Sequence, residues 1–309
     1  MNFDPVGLAT RLKKIAGCQV QTNKCLAPYT SYKIGGPTAL WVAPTTNEGV
    51  GSVLEIIHEN QIPLFILGRG TNLLVSDAGW DGVTLYLGEN FSGWTFDHGQ
   101  VTVLAGTLLM DLIRTVVEEG LGGMELLAGI PGGVGGALRM NAGAFGQEIQ
   151  QVITSVSGFR WDGSSFYAPR RKIAFMYRQA PELDKVIITA GHFCYEKQDV
   201  LKLKTRMEDI LALRAKKQPL NFPSCGSVFK RPAGYYAGAL IEEAGLKGER
   251  IGDALISPKH AGFILNTGNA KAAEVYALIR RIENRVIDRF GVQLEREVKL
   301  VGNFEEVPV

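Results

Sequence analysis

Between Gly129 and Gly146 the chain reads Gly-Ile-Pro-Gly-Gly-Val-Gly-Gly-Ala-Leu-Arg-Met-Asn-Ala-Gly-Ala-Phe-Gly, with seven glycines in eighteen residues. Glycine loses more backbone freedom on ordering than any other residue, so so dense a run needs a reason. It is either a flexible linker or a backbone surface that something charged approaches closely. A linker would be polar and serine-rich. This run has no serine and carries Ile130, Val134, Leu138, Met140 and Phe145, side chains that belong in a core. It reads as an ordered loop whose amide N–H groups are left bare to cradle an anion, above all a phosphate or pyrophosphate. A second glycine loop, Leu67-Gly68-Arg69-Gly70-Thr71-Asn72-Leu73-Leu74-Val75, follows the apolar run 63–67, which reads as a buried strand. Neither loop has the Gly-x-x-x-x-Gly-Lys-Ser/Thr pattern, and no Gly-x-Gly-x-x-Gly lies between a strand and a helix. Two separated loops with hydroxyl and amide donors suit an elongated dinucleotide better than a mononucleotide.

The spacing of apolar residues predicts helices over about 5–17, 47–60, 107–119, 199–217 and 236–244, and another led by Asn269 as its cap. That last helix carries Val275, Leu278, Ile279, Ile282, Val286 and Phe290 in one stripe. Strands are expected near 39–43, 63–67, 83–87, 101–105, 152–160, 186–195, 254–256, 262–266 and 292–301. The fold class expected is α+β. A formal net charge of only +2 argues against a general nucleic-acid or membrane-surface binder. Cys18, Cys25, Cys194 and Cys225 form no Cys-x-x-Cys pair, so neither a zinc knuckle nor a disulfide framework is indicated. The histidines (His58, His98, His192, His260) lie far apart, and no metal site is expected. With no signal segment and no apolar run of spanning length, the expectation is a cytoplasmic protein.

Gly-Arg-Gly-Thr-Asn-Leu-Leu-Val at 68–75, Gly-Ile-Pro-Gly-Gly-Val-Gly-Gly-Ala at 129–137 and Asn-Ala-Gly-Ala-Phe-Gly at 141–146 resemble the FAD-binding fold of the vanillyl-alcohol oxidase and p-cresol methylhydroxylase (PCMH) group. Within it the chain is similar to the UDP-N-acetylenolpyruvoylglucosamine reductases, from about Tyr29 to Gly302. The resemblance implies a two-lobed FAD-binding module over residues 1–205 and a smaller α+β substrate-binding domain over 206–309, the last strand packing back onto the FAD lobes. It also implies FAD as bound cofactor, NADPH as reductant, and UDP-N-acetylglucosamine enolpyruvate as substrate, with no nucleic acid or membrane partner. Tyr32, Gly68, Gly70, Thr71, Asn72, Gly129, Gly132, Gly133, Gly135, Gly136, Asn141 and Gly143 would then face the flavin dinucleotide.

Three residues would carry the chemistry. Ser227, in Ser224-Cys-Gly-Ser-Val-Phe-Lys-Arg-Pro232, would on its own be a turn serine. The resemblance makes it the proton donor, and a serine hydroxyl can protonate a basic enolate although it is a poor acid toward water. Arg178, after Tyr177, would on its own be a surface ion-pair residue; the resemblance sets it over the reacting carboxylate, where a planar guanidinium suits growing negative charge. Ala180 stands where the family usually has serine. Glu297 falls on the second glutamate of the family's closing motif, with Arg296 where proline is usual. Strand alternation puts Leu294, Arg296 and Val298 on one face and Glu295, Glu297 and Lys299 on the other. Tyr177, Lys217 and Arg231 are the substrate-binding candidates, with Lys230 and Arg214 as further basic residues for a diphosphate. The short stretch from Arg178 to Ser227 resembles the lidless, type II form. An FAD oxidase of the same fold and a non-catalytic flavin or nucleotide-sugar binder are the rivals. Both keep the glycine loops, but neither needs Arg178, Ser227 and Glu297 together.

Overall fold

The computed structural model describes residues 3–97 and 100–304, so His98 lies outside the described residues. The chain divides into two compact units that are interleaved in sequence. One comprises Met1–Thr22, Ala39–Arg69 and Gly82–Arg214, the other Asn23–Thr38, Gly70–Asp81 and Ala215–Val309.

The first unit has two apolar cores. One gathers Leu12, Leu40, Val42, Val50, Val53, Leu54, Ile57, Val83 and Leu85. Its helix Asn47–Glu59 starts where the Thr46 side chain accepts from the Gly49 amide at 3.1 Å, and it turns Val50, Val53, Leu54 and Ile57 inward. The sheet beside it runs Cys18–Cys25, Pro37–Pro44, Trp80–Tyr86, Leu64–Leu67 in that order, the last two strands being parallel. The other core holds Val101, Val103, Leu109, Leu112, Ile113, Val116, Val134 and Leu138. It lies under an antiparallel sheet ordered Ser165–Pro169, Ile153–Arg160, Val186–Cys194, Gln100–Leu104, Trp94–Asp97. Helix Leu109–Glu118 buries five of its ten residues there, and burying each large apolar side chain is worth about 1.5–3 kcal/mol.

The second unit is built on helix Ala272–Phe290, whose stripe from Val275 to Val286 packs over the strands Arg250–Ile251, Ala254–Ile256 and Ile264–Asn266. Asn269 does not cap this helix. Lys271 takes the cap position, and the Asp77 carboxylate accepts from the Ala272 and Ala273 amides at 2.9 and 3.0 Å. A carboxylate at a helix N-terminus answers both the orphan N–H groups and the dipole. Gly291, at φ +66°, ends the helix.

Two further expectations need correction, and one strand was not foreseen. The first helix stops at Leu12, not 17, because residues 13–17 close in turns that end on Gly17 at φ +68°. Strand Cys18–Cys25 was not legible, since its CQVQTNKC pattern buries only Val20. The closing strand is only Lys299–Val301, paired in parallel with Leu73–Val75. Residues 292–298 form no regular strand and are held instead by single bridges and backbone bonds to the Ser227 segment.

Candidate active site

In the first unit the long glycine run is an ordered turn leading into a short helix, Val134–Arg139. Part of its glycine content serves packing. A Cβ on Gly133 would lie 2.8 Å from the Ala105 carbonyl oxygen, and one on Gly135 would lie 2.8 Å from Ala105 Cβ. The amides of Val134 and Gly135 already donate to Thr107 and Ala105. Gly135 therefore leaves the set of anion donors. Among the described residues, no hydrogen bond engages the amides of Gly132, Gly133 and Gly136. A Cβ on Gly136, an exposed residue, would meet nothing within 4 Å. The Gly129 amide points to Met110 Sδ at 3.4 Å, a weak acceptor.

Arg178 sits at the tip of a two-residue turn closed by reciprocal Met176–Gln179 backbone bonds. Its φ is +57°, at a turn position where glycine or asparagine is usual. The turn is braced from below by Asn141, whose Nδ2 donates to the Met176 carbonyl at 3.1 Å and to Glu148 Oε2 at 2.9 Å. Arg178 Nη2 donates to the Gly143 carbonyl at 3.0 Å, and its guanidinium lies 4.9 Å from the Tyr177 ring centre. Gly143 thus contributes its carbonyl, while its Cβ position is filled by Glu148.

Arg214, rated a lesser candidate from sequence, belongs to the same neighbourhood. Burial, then the charge of Arg178, hold its guanidinium below the usual arginine range. Its Nε is buried with no partner, and the group stacks over Phe145 at 5.7 Å. A guanidinium depressed by burial and by a neighbouring guanidinium marks a place that favours an anion. The spacing of Arg178 and Arg214 along the chain carries no sign of this.

In the second unit, Ser227 and Glu297 are brought together through Val228, the residue that follows the serine. Ser227 bridges Phe263, the Val228 amide donates to the Gly262 carbonyl at 2.9 Å, and the Val228 carbonyl accepts from the Glu297 amide at 2.8 Å. Asn72 Nδ2 donates to the Glu297 carbonyl at 3.0 Å, while the Asn72 carbonyl accepts from Lys299 at 3.0 Å. Asn72, expected from the glycine loop as a flavin contact, is thereby a clamp on Glu297. Beside them the wholly buried Cys225 thiol is pushed up to about 12, chiefly by burial, with the Glu297 carboxylate adding to it.

The remaining candidates divide. Tyr32 and Asn141 are fully enclosed, so the contact expected of either side chain with FAD is not available in this structure. The Tyr32 ring is core, and burial together with the neighbouring Cys225 raises its phenol well above the usual range. Asn141 braces the Arg178 turn instead. Gly70, at φ +61°, is required by packing, because a Cβ there would lie 2.1 Å from the Tyr29 carbonyl oxygen. Gly68 and Thr71 are half-buried in the same loop, and the chain between them carries Arg69, tied to the Gly106 carbonyl at 2.9 Å. Lys217 is exposed at the end of helix Val200–Lys217. Arg231 is exposed and stacks on Tyr236 with its guanidinium 4.0 Å from the ring centre. Lys230 is buried against Glu295, so it is not a diphosphate ligand.

The bare amides of Gly132 and Gly136 are donors that the diphosphate of a flavin dinucleotide would use. Residues 38–165 match the FAD binding domain family. The fold and its glycine turns thus define an FAD-binding oxidoreductase. Residues 218–301 match the C-terminal domain of UDP-N-acetylenolpyruvoylglucosamine reductase. The reductase of Clostridium novyi is 40% identical over 289 residues, covering 93% of this chain and 94% of that protein. That of Alkaliphilus oremlandii is 41% identical over 89% of this chain and 90% of its own length. The crystal structure of UDP-N-acetylenolpyruvylglucosamine reductase from Thermus caldophilus superposes with a TM-score of 0.78 at 34% identity, covering 92% of this chain and 99% of that one. The chain belongs to the UDP-N-acetylenolpyruvoylglucosamine reductase family.

Proposed function

We propose that the protein reduces the enolpyruvyl ether of UDP-N-acetylglucosamine enolpyruvate to UDP-N-acetylmuramate, in the cytoplasm, as a step of peptidoglycan precursor synthesis. FAD, when bound, supplies the redox chemistry by accepting a hydride from NADPH and delivering it to the vinyl CH2 carbon. Residues of the 1–205 region hold the flavin, with the Gly132 and Gly136 amides directed to its anionic part. Residues of the 206–309 region hold the nucleotide sugar, with Lys217 and Arg231 directed to its diphosphate.

The chain's own chemistry lies in three side chains. Hydride arrival at the CH2 carbon pushes an electron pair onto the carboxylate of the enolpyruvyl group. Arg178 meets that carboxylate with a planar guanidinium whose interaction strengthens as the charge grows. Glu297 stands by the same enolate. Ser227 Oγ donates its proton to the α carbon, which completes the lactyl ether. The observation that supports this most is the shared residue Val228. It ties the backbone at Ser227 to the amide of Glu297, so a donor and a carboxylate far apart in sequence are fixed as one unit.

Anaerobic stopped-flow absorbance on the FAD-loaded protein tests the reading. NADPH should bleach the flavin, and UDP-N-acetylglucosamine enolpyruvate should restore its colour without oxygen. Colour that returns only when air is admitted would make the protein an oxidase. A protein that cannot be loaded with FAD would sink the proposal.

A further inference from the structure

His260 lies outside the three catalytic positions and outside both glycine loops, yet it is built into the backbone that carries Ser227. Its imidazole occupies a slot between two glycines: a Cβ on Gly238 would lie 3.1 Å from His260 Cε1, and one on Gly262 would lie 3.0 Å from it. The ring meets Phe263 edge-on, with centres 5.0 Å apart. Phe263 is the residue that bridges Ser227. The Gly262 amide donates to His260 Nδ1 at 3.1 Å, and the Gly262 carbonyl accepts from Val228 at 2.9 Å. The backbone on either side of the ring is fixed as well, since the His260 amide donates to Ser257 Oγ at 3.2 Å and its carbonyl accepts from Phe263 at 3.0 Å.

We propose that His260 is a positioning residue for the reductive step: as a neutral imidazole it holds the Gly262 peptide, and through Gly262 and Val228 it sets where Ser227 and Glu297 stand. This rests on Ser227 being the proton donor. A simple packing role would need only a flat ring in the slot. An acceptor at Nδ1 needs the proton on Nε2, because a doubly protonated ring would turn an N–H toward the Gly262 N–H and remove the bond. Burial favours that neutral form and holds His260 below the usual histidine range. The charged groups facing the ring are Lys247, which disfavours protonation, and Glu242, which favours it. These two pair with each other at 2.7 Å, so much of their effect on the ring cancels.

The test separates the two half-reactions in single-turnover stopped flow, from pH 5 to pH 8, on FAD-loaded wild type, His260→Asn, His260→Ala and Ser227→Ala. Asparagine can place Oδ1 where Nδ1 stands and does not titrate in this range. His260→Ala should slow flavin reoxidation by UDP-N-acetylglucosamine enolpyruvate by about 10- to 100-fold, the size expected for a displacement of about 1 Å at the reacting groups. It should leave reduction by NADPH within about twofold. His260→Asn should keep most of the reoxidation rate and lose the wild-type decline toward acid pH. Equal reoxidation rates in wild type and His260→Ala would overturn the proposal, as would an acid decline that persists in His260→Asn. Should the alanine variant fail to fold, the pH profile of the asparagine variant decides. Fast reoxidation in Ser227→Ala would instead remove the reading of Ser227 on which the proposal stands.

Discussion

Arg178 and Ser227 are held by different devices in the two units. Arg178 itself takes the left-handed backbone position of its turn, at φ +57°, and is kept there by Asn141 from below and the Gly143 carbonyl alongside. At Ser227 the left-handed position falls on the preceding Gly226, at φ +81°, and the serine lies in a backbone bridge. The first unit thus stores strain in the functional residue, at a cost of about 1–3 kcal/mol. The second assigns it to a glycine, which takes that conformation at little cost. A long, flexible cation needs its backbone aimed to bring its planar head to one place. A short hydroxyl has no reach, and is positioned by the peptides around it.

The largest effects should appear when each device is broken at its functional residue. Ser227→Ala should lower the enol-ether half-reaction by about 10²- to 10⁴-fold, the range for loss of a positioned proton donor. Arg178→Gly should lower it by about 10²- to 10³-fold, as for loss of one transition-state donor. Their stabilities should diverge: calorimetry should show Arg178→Gly at least as stable as wild type because the strain is relieved, and Ser227→Ala unchanged. A marked loss of Tm in Arg178→Gly would show that the turn is held by the arginine's contacts and not strained by its backbone.

A smaller effect distinguishes glycines kept for packing from glycines kept for a ligand. Gly135→Ala should destabilise the apoprotein by about 1–3 kcal/mol, the usual penalty of overpacking, since its Cβ would press on Ala105. Gly136→Ala should stabilise the apoprotein by about 0.4–1 kcal/mol and still weaken FAD retention. Normal FAD affinity in Gly136→Ala, measured by flavin fluorescence, would take the exposed amide out of the cofactor site.

The smallest effect concerns protonation. His192 lies between Thr102 Oγ1 and Ser157 Oγ, at 3.0 and 2.7 Å, and burial lowers its pKa. The unfolded chain therefore binds more protons at this residue once pH falls below about 6.5. Its contribution to stability is full above that value and is lost as pH drops toward the folded-state pKa. His192→Gln should flatten the fall of Tm between pH 6.5 and 5 without altering the pH profile of flavin reoxidation. If that profile changed too, His192 and the catalytic groups would be coupled, and the contrast between the units would not extend to their histidines.

Much of the fold is legible in the sequence alone. The stripe from Val275 to Phe290 and the helix at 47–59 follow from periodicity, because each buries one face, and the apolar run at 64–67 forms its strand although only Leu67 is fully buried. The motifs at 68–75 and 129–146 pointed to a flavin fold, and the family matches at 38–165 and 218–301 agree with it. Strand Cys18–Cys25 stayed hidden because its faces are nearly all polar. The expected strand at 292–298 failed because alternation also arises in an extended segment tied by single bonds.

By itself, the sequence determined which of the longer segments are helical, that two glycine turns occur, and which residue types are available for the chemistry. Those are local properties, set by neighbours a few positions apart. Only the tertiary structure decided that Asn141 and Tyr32 are enclosed, that Lys230 is occupied by Glu295, and that Asn72 and Val228 both hold Glu297. These depend on which distant backbone groups meet. A hydrogen bond between residues 72 and 297 leaves no periodicity in the chain to announce it.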